Sequence, residues 1–177
     1  MKKTIVLVGM MGAGKTAVGQ ALARALSVPF LDSDHEIERA ANMQVSEIFS
    51  RDGEAFFRDR EAEVITRLLS GPRVVLSTGG GAFLAERNRH EISSAGVSVW
   101  LKADLSLLWQ RVRHKSTRPL LRGPDPFGAL EQVYKDRVPI YERADMVVEA
   151  RAEYSIERMC EQVLKALESR PDVLRKT

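Results

Sequence analysis

Residues 5–16, IVLVGMMGAGKT, constrain this chain more than any other stretch. Four aliphatics make a short buried strand, and Gly9, Gly12 and Gly14 then break it. Lys15 and Thr16 open a segment with helical periodicity through Ala17, Val18, Ala21, Leu22, Ala25 and Leu26. A glycine turn of this kind lets backbone N–H groups point inward onto an anion, and the helix that starts there adds its positive dipole end. Gly9 through Thr16 match G-x-x-x-x-G-K-[ST] in full. In that pattern the lysine neutralises β/γ-phosphate charge and the hydroxyl ligates Mg²⁺. A secretory leader is the competing reading of Met1-Lys2-Lys3 and the apolar residues behind it. The glycines, the position of Lys15 and the helical continuation all argue against a leader.

Apolar runs at 5–8, 28–31, 73–76, 97–101 and 146–148 alternate with helical spans at 15–26, 34–50, 54–69, 82–94, 104–115, 126–142 and 155–169. Short buried strands between helices predict an α/β fold, three layers with a five-stranded parallel sheet in the middle. A chain of 177 residues suits one domain, placed at 1–170, with a polar tail at 171–177 expected to fray. The single cysteine, Cys160, excludes an internal disulfide and suits a reducing cytoplasm. It lies in an apolar stripe with Ile156, Met159, Val163, Leu164 and Leu167, as a buried structural thiol would. No apolar run approaches the roughly 18 residues that span a bilayer. The net charge of +3 hides one uneven segment, RVRHKSTRPLLR at 111–122, which contains no acid. It has no interleaved aromatic for base stacking, although Trp109 precedes it, so neither nucleic acid nor membrane is the expected partner. With the Gly123-Pro124-Asp125-Pro126 break behind it, the segment reads as a mobile element and its hinge.

The second strand ends in Asp32-Ser33-Asp34. Ligands of open α/β sheets gather at the carboxyl ends of strands, so both acids belong near the phosphates. Asp32 can hold Mg²⁺ through water. Asp34, farther out, can orient or deprotonate a substrate hydroxyl, or it can simply cap a helix starting at His35. The third strand runs into Gly79, Gly80 and Gly81, which permit close approach of a ligand, and no aspartate follows that strand to hold a metal. Arg58, three residues before Glu61, is joined by Arg118 and Arg137 as candidate partners for an anionic substrate. His35, His90 and His114 lack metal-ligand spacing.

These elements occur in one order: the glycine loop, Phe30-x-Asp32-x-Asp34, Gly53-Glu54 with Phe57-Arg58 and Glu61, Thr78 through Gly81, Arg118-Pro119-Leu120-Leu121, and Arg137-x-Pro139-x-Tyr141. The ordered set, over about residues 4–150, resembles the shikimate kinases. The resemblance implies a P-loop fold like that of the nucleoside monophosphate kinases, with a lid at about 112–124. It implies transfer from ATP to the 3-hydroxyl of shikimate, in the pathway to chorismate and the aromatic amino acids, by a monomer in a bacterial cytoplasm. Asp34 would bind and activate the hydroxyl, with Lys15 and Arg118 as catalytic partners on the γ-phosphoryl group. Gly12, Ala13, Gly14, Lys15, Thr16, Arg111 and Arg118 would bind ATP, and Thr16 and Asp32 the Mg²⁺. Arg58 and Arg137 would clamp the shikimate carboxylate beside Gly79, Gly80 and Gly81. Arg111 is the weaker match among them, Ala17 stands where such kinases often carry Ser or Thr, and 151–154 has no clear counterpart. The alternative is another small-molecule P-loop kinase, acting on gluconate or a nucleoside monophosphate. A regulatory GTPase is excluded because N-K-x-D does not occur.

Overall fold

The computed structural model describes residues 1–115 and 119–175. Strand β1 (Thr4–Val8) is buried at every position, as expected of an unbroken aliphatic run covered on both faces. It is the middle strand of a parallel sheet ordered β2-β3-β1-β4-β5, with β2 at Phe30–Asp32, β3 at Val75–Ser77, β4 at Gly96–Lys102 and β5 at Met146–Glu149. Ile5 pairs with Val75 on one side and Val97 on the other. Because the chain fills one side of β1 before crossing to the other, a crevice opens beyond its carboxyl end. The glycine loop, Asp34 and the triple glycine all issue into it.

The helices are α1 (Lys15–Leu26), α2 (Ser33–Ala41), α3 (Val45–Ser70), α4 (Glu86–Ala95), α5 (Leu105–Val112), α6 (Pro126–Tyr141) and α7 (Ile156–Leu167). Helix α1 buries Val18, Leu22 and Ala23, and Gly19 lets it lie close on β2: a methyl there would stand 2.6 Å from the Phe30 ring. Helix α7 buries Met159, Cys160, Val163 and Leu167, so the lone thiol is a core group. The Ser155 hydroxyl caps it by accepting the Arg158 N–H at 3.0 Å. Each aliphatic buried this way stabilises the fold by roughly 1.5–3 kcal/mol. A second, smaller core of Ile37, Ile48, Phe57 and Val64 lies under α2 and α3, with Phe49 and Phe57 ring centres 4.7 Å apart.

The helical span expected at 34–50 is broken. Helix α2 begins at Ser33 and stops at Ala41, where Asn42 turns left-handed at φ 51°, and α3 begins at Val45. Helix α3 itself kinks at Gly53, whose φ of 84° and ψ of 171° are not helical. The kink at Gly53 falls in the gap between the spans expected at 34–50 and 54–69, whereas apolar periodicity misses the break at Asn42 because the residues on either side still meet in the one small core. The span expected at 82–94 starts as a 3₁₀ turn, and its α-helix begins at Glu86. Within the segment expected to fray, Val173 is wholly buried and its carbonyl accepts the Lys2 N–H at 2.7 Å, and residues 176 and 177 lie outside the described residues. Lys3 Nζ lies 3.1 Å from the Asp172 carboxylate. Two adjacent aliphatics, Val173 and Leu174, carry the segment's contact with the main core. Among the described residues, no helix is long and apolar enough to cross a membrane.

Candidate active site

The glycine loop wraps the start of α1. Gly14 is left-handed at φ 93° and offers no side-chain cap, and α1 carries no acid in its first turn, so its N–H groups are available to an anion. Lys15 Nζ is turned onto the loop itself, donating to Gly9 O at 2.8 Å and Met10 O at 2.9 Å. Helix α5 backs the loop. Arg111 donates to Gly12 O at 3.0 Å, and burial holds its guanidinium pKa below the ordinary value. Gly12, at φ 81°, lies so close to α5 that a methyl there would meet Val112 at 2.7 Å. A cleft of about 610 Å³ opens above, lined by Gly12 through Thr16, Asp32, Asp34, Gly79, Gly80 and Arg111, together with Lys115 and Tyr154.

The acid pair divides its work. Asp32, rather than Asp34, caps α2, accepting the His35 N–H at 3.1 Å. Starting the helix at Ser33 puts Asp34 in its first turn, with the carboxylate against Gly79. Burial pushes the Asp34 carboxyl up to about 6, with repulsion from Asp32, Glu61 and Glu38 adding to it and Lys15 opposing.

Three consecutive glycines meet three functional side chains. A methyl on Gly79 would stand 2.6 Å from an Asp34 oxygen, one on Gly80 would stand 2.8 Å from an Arg137 nitrogen, and one on Gly81 would overlap the Arg58 guanidinium. The triple glycine is therefore a floor cleared of side chains, on which one carboxylate and two guanidinium groups converge. Arg58 donates to Glu61 at 2.8 Å, and Glu61 is only 1 % exposed. Burial raises the Glu61 pKa while Arg58 opposes, and Glu61 Oε2 has no hydrogen-bond partner among the described residues. The Tyr141 hydroxyl donates to Gly80 O at 2.7 Å.

Of the residues read from sequence, Gly12, Ala13, Gly14, Lys15, Thr16, Asp32, Asp34, Gly79, Gly80 and Arg111 line the one cleft. Arg58 and Arg137 reach its glycine floor. Arg118 lies outside the described residues. Sequence reasoning missed Lys115 and Tyr154 in the cleft wall, although Tyr154 sits between Arg151 and Arg158, 5.8 Å and 5.9 Å from its ring. The described residues hold no cluster of three metal-ligating side chains. A hydroxyl at Thr16 and a carboxylate at Asp32, with one oxygen already committed to its cap, nevertheless suit Mg²⁺. That ion keeps water and phosphate oxygens as most of its ligands.

Comparison with known proteins agrees with this geometry. The family model described as shikimate kinase matches residues 11–168. A shikimate kinase from Ruegeria pomeroyi is 66% identical over 174 residues, covering 98% of this chain and 89% of that protein. One from Cereibacter sphaeroides is 63% identical over 98% of this chain and 87% of its own length. The structure of shikimate kinase from Acinetobacter baumannii in complex with shikimate superposes with a TM-score of 0.88 at 39% identity, covering 94% of this chain and 93% of that one. A gluconokinase from Sinorhizobium meliloti, at 19% identity and a TM-score of 0.61, shares the fold alone.

Proposed function

The chain belongs to the shikimate kinase family, and from that membership we propose a residue-level account of how it phosphorylates shikimate with ATP. Phosphoryl transfer asks a protein for positioning and charge stabilisation more than for covalent chemistry. The loop from Gly12 to Thr16 binds the phosphates through its N–H groups. Lys15 exchanges its loop carbonyls for phosphate oxygens, and Arg111 flanks the nucleotide. Arg118, from the lid at about 112–124, adds charge to the γ-phosphoryl group. Thr16 and, through water, Asp32 would hold the Mg²⁺ that neutralises charge across the phosphates.

At the acceptor end, Arg58 and Arg137 clamp the carboxylate, and the bare floor of Gly79 to Gly81 lets the ring approach. Asp34 hydrogen-bonds the 3-hydroxyl and takes its proton as the oxygen attacks the γ-phosphorus. The bond to the ADP oxygen breaks, leaving shikimate 3-phosphate and ADP. A carboxylate whose pKa has been raised to about 6 is ionised at neutral pH yet basic enough to accept that proton. The enzyme works as a monomer in the cytoplasm, a location that a single buried cysteine suits.

One observation carries this reading: an aspartate and two arginines converge on three adjacent glycines beside the phosphate loop. The test is ADP release from ATP and Mg²⁺ with shikimate, with gluconate, and with no acceptor. Stimulation by shikimate alone is expected. Stimulation by gluconate would overturn the acceptor assignment and leave the phosphate loop standing.

A further inference from the structure

Two wholly buried hydroxyls hold the triple-glycine floor from opposite sides. Ser33 Oγ, on α2, accepts the Gly79 N–H at 3.1 Å, and Tyr141 Oη, on α6, donates to Gly80 O at 2.7 Å. Tyr141 follows Arg137 by one helical turn on the same face of α6. The Arg137 guanidinium lies against Gly80, and its positive charge bears on the Tyr141 phenol from the preceding turn of the same helix. One phenol thus joins the loop after β3 to the helix that carries the clamp. It can donate one hydrogen bond and accept others, so serving Gly80 and Arg137 together is within its capacity. Its ring is fixed by complete burial and by Trp100, whose ring centre lies 5.9 Å away. Burial also raises the phenol pKa, which keeps it a donor throughout the working pH range.

We infer that Tyr141 is a positioning residue for the acceptor: its hydroxyl fixes the Gly80 backbone and the Arg137 guanidinium in one geometry, so that the shikimate carboxylate enters a preformed site. The inference rests on the reading of Arg137 as a carboxylate clamp. A tyrosine that merely filled the core would affect both substrates alike through stability. A positioning hydroxyl acts on one of them, because its partners belong to the acceptor floor and none belongs to the phosphate loop.

The test is steady-state kinetics on Tyr141→Phe, Arg137→Gln and the double variant, with melting curves alongside. Phenylalanine keeps the ring and removes the joint. The expected result for Tyr141→Phe is a rise of about ten-fold in KM for shikimate, the scale of one lost hydrogen bond. KM for ATP should stay within about two-fold, and the double variant should be no worse than Arg137→Gln alone. Unchanged shikimate affinity in Arg137→Gln would overturn the clamp reading and this inference with it. A raised KM in Arg137→Gln but not in Tyr141→Phe would overturn the positioning role alone. A parallel rise in both KM values with a lowered Tm would show packing only, and would overturn it too. If Tyr141→Phe does not fold, wild-type protein labelled with ¹³C at tyrosine Cζ decides. Tyr134→Phe and Tyr154→Phe identify the third resonance by elimination. Tyr141 should shift with shikimate and not with ADP, and a resonance that shikimate leaves in place sinks the inference.

Discussion

The molecule uses glycine-rich segments in two places, for opposite reasons. In the phosphate loop Gly12 and Gly14 have φ of 81° and 93°, a conformation that makes the backbone itself the ligand. In the floor from Gly79 to Gly81 no residue has positive φ, and Gly81 is helical at φ −94°. There the missing side chains make room for Asp34, Arg137 and Arg58. The foundations differ as well. The loop leaves β1 at the centre of the main core, whereas α2 and the first part of α3 rest on the four buried residues of the smaller one. Donor chemistry is thus written in backbone dihedrals, and acceptor chemistry in side-chain space.

Substitutions that injure one half and spare the other sharpen that contrast. The largest effect is expected from Asp34→Asn. Single-turnover assays should show phosphoryl transfer lowered by about 10³-fold, the scale of a lost general base, with ADP affinity by calorimetry unchanged. Equal loss of ADP binding would mean that the two halves are not separable.

Next come the clamp arginines. Arg137→Gln should raise KM for shikimate by about 10²-fold at constant KM for ATP, as expected for a lost charged hydrogen bond. Arg58→Gln should do the same and also lower Tm, because Glu61 would be left buried without its partner. Matching Tm values for the two variants would refute that distinction.

The glycines themselves give smaller and reciprocal effects. Gly12→Ala should weaken ADP binding about ten-fold, by the left-handed strain of alanine and the approach of Val112. Gly79→Ala should spare ADP and lower turnover by displacing Asp34. A Gly79→Ala enzyme with normal turnover would break the comparison.

The smallest effect is on stability. Asp34 has its folded pKa raised from 3.8 to about 6, so the folded state binds more protons than the unfolded chain between those values. Stability therefore falls as pH rises through that window, and above it the charged carboxylate costs the fold on the order of 3 kcal/mol. Asp34→Asn should raise Tm by about 8 °C at pH 8, with the gain vanishing toward pH 4. Shikimate kcat/KM in the wild type should in turn fall as pH drops below about 6, where the base is protonated.

Much of this was legible in the sequence where the determinants are local. Strand, loop and helix from Thr4 to Leu26 follow from adjacent residues, and the spacing of Arg58 and Glu61 brings them together on a single helical turn. The position of Asp34 after a strand places it in the cleft, and the kinase resemblance supplies the acceptor that no local pattern specifies. Where the determinants are distant, the sequence is silent. The Tyr141 hydroxyl finds Gly80 across 61 positions, and Ser33 finds Gly79 across 46. The helix break at Asn42 is invisible because apolar spacing continues through it, whereas the kink at Gly53 falls between two spans that the sequence already separates. Asp34 escapes the capping role because α2 begins at Ser33, two residues before the His35 start that would have made it the cap.

The bond between Lys2 and Val173, with Lys2 Nζ also donating to Pro171 O at 2.8 Å, has a practical consequence. It lies before the first residue of β1, so a strand of five residues, roughly 17 Å, separates it from the phosphate loop. Any extension grown from either side of that bond, whether an affinity tag, a fluorescent reporter or a tether to a sensor chip, leaves from the base of the molecule. Either attachment would present the same orientation and leave the mouth of the cleft open to both substrates.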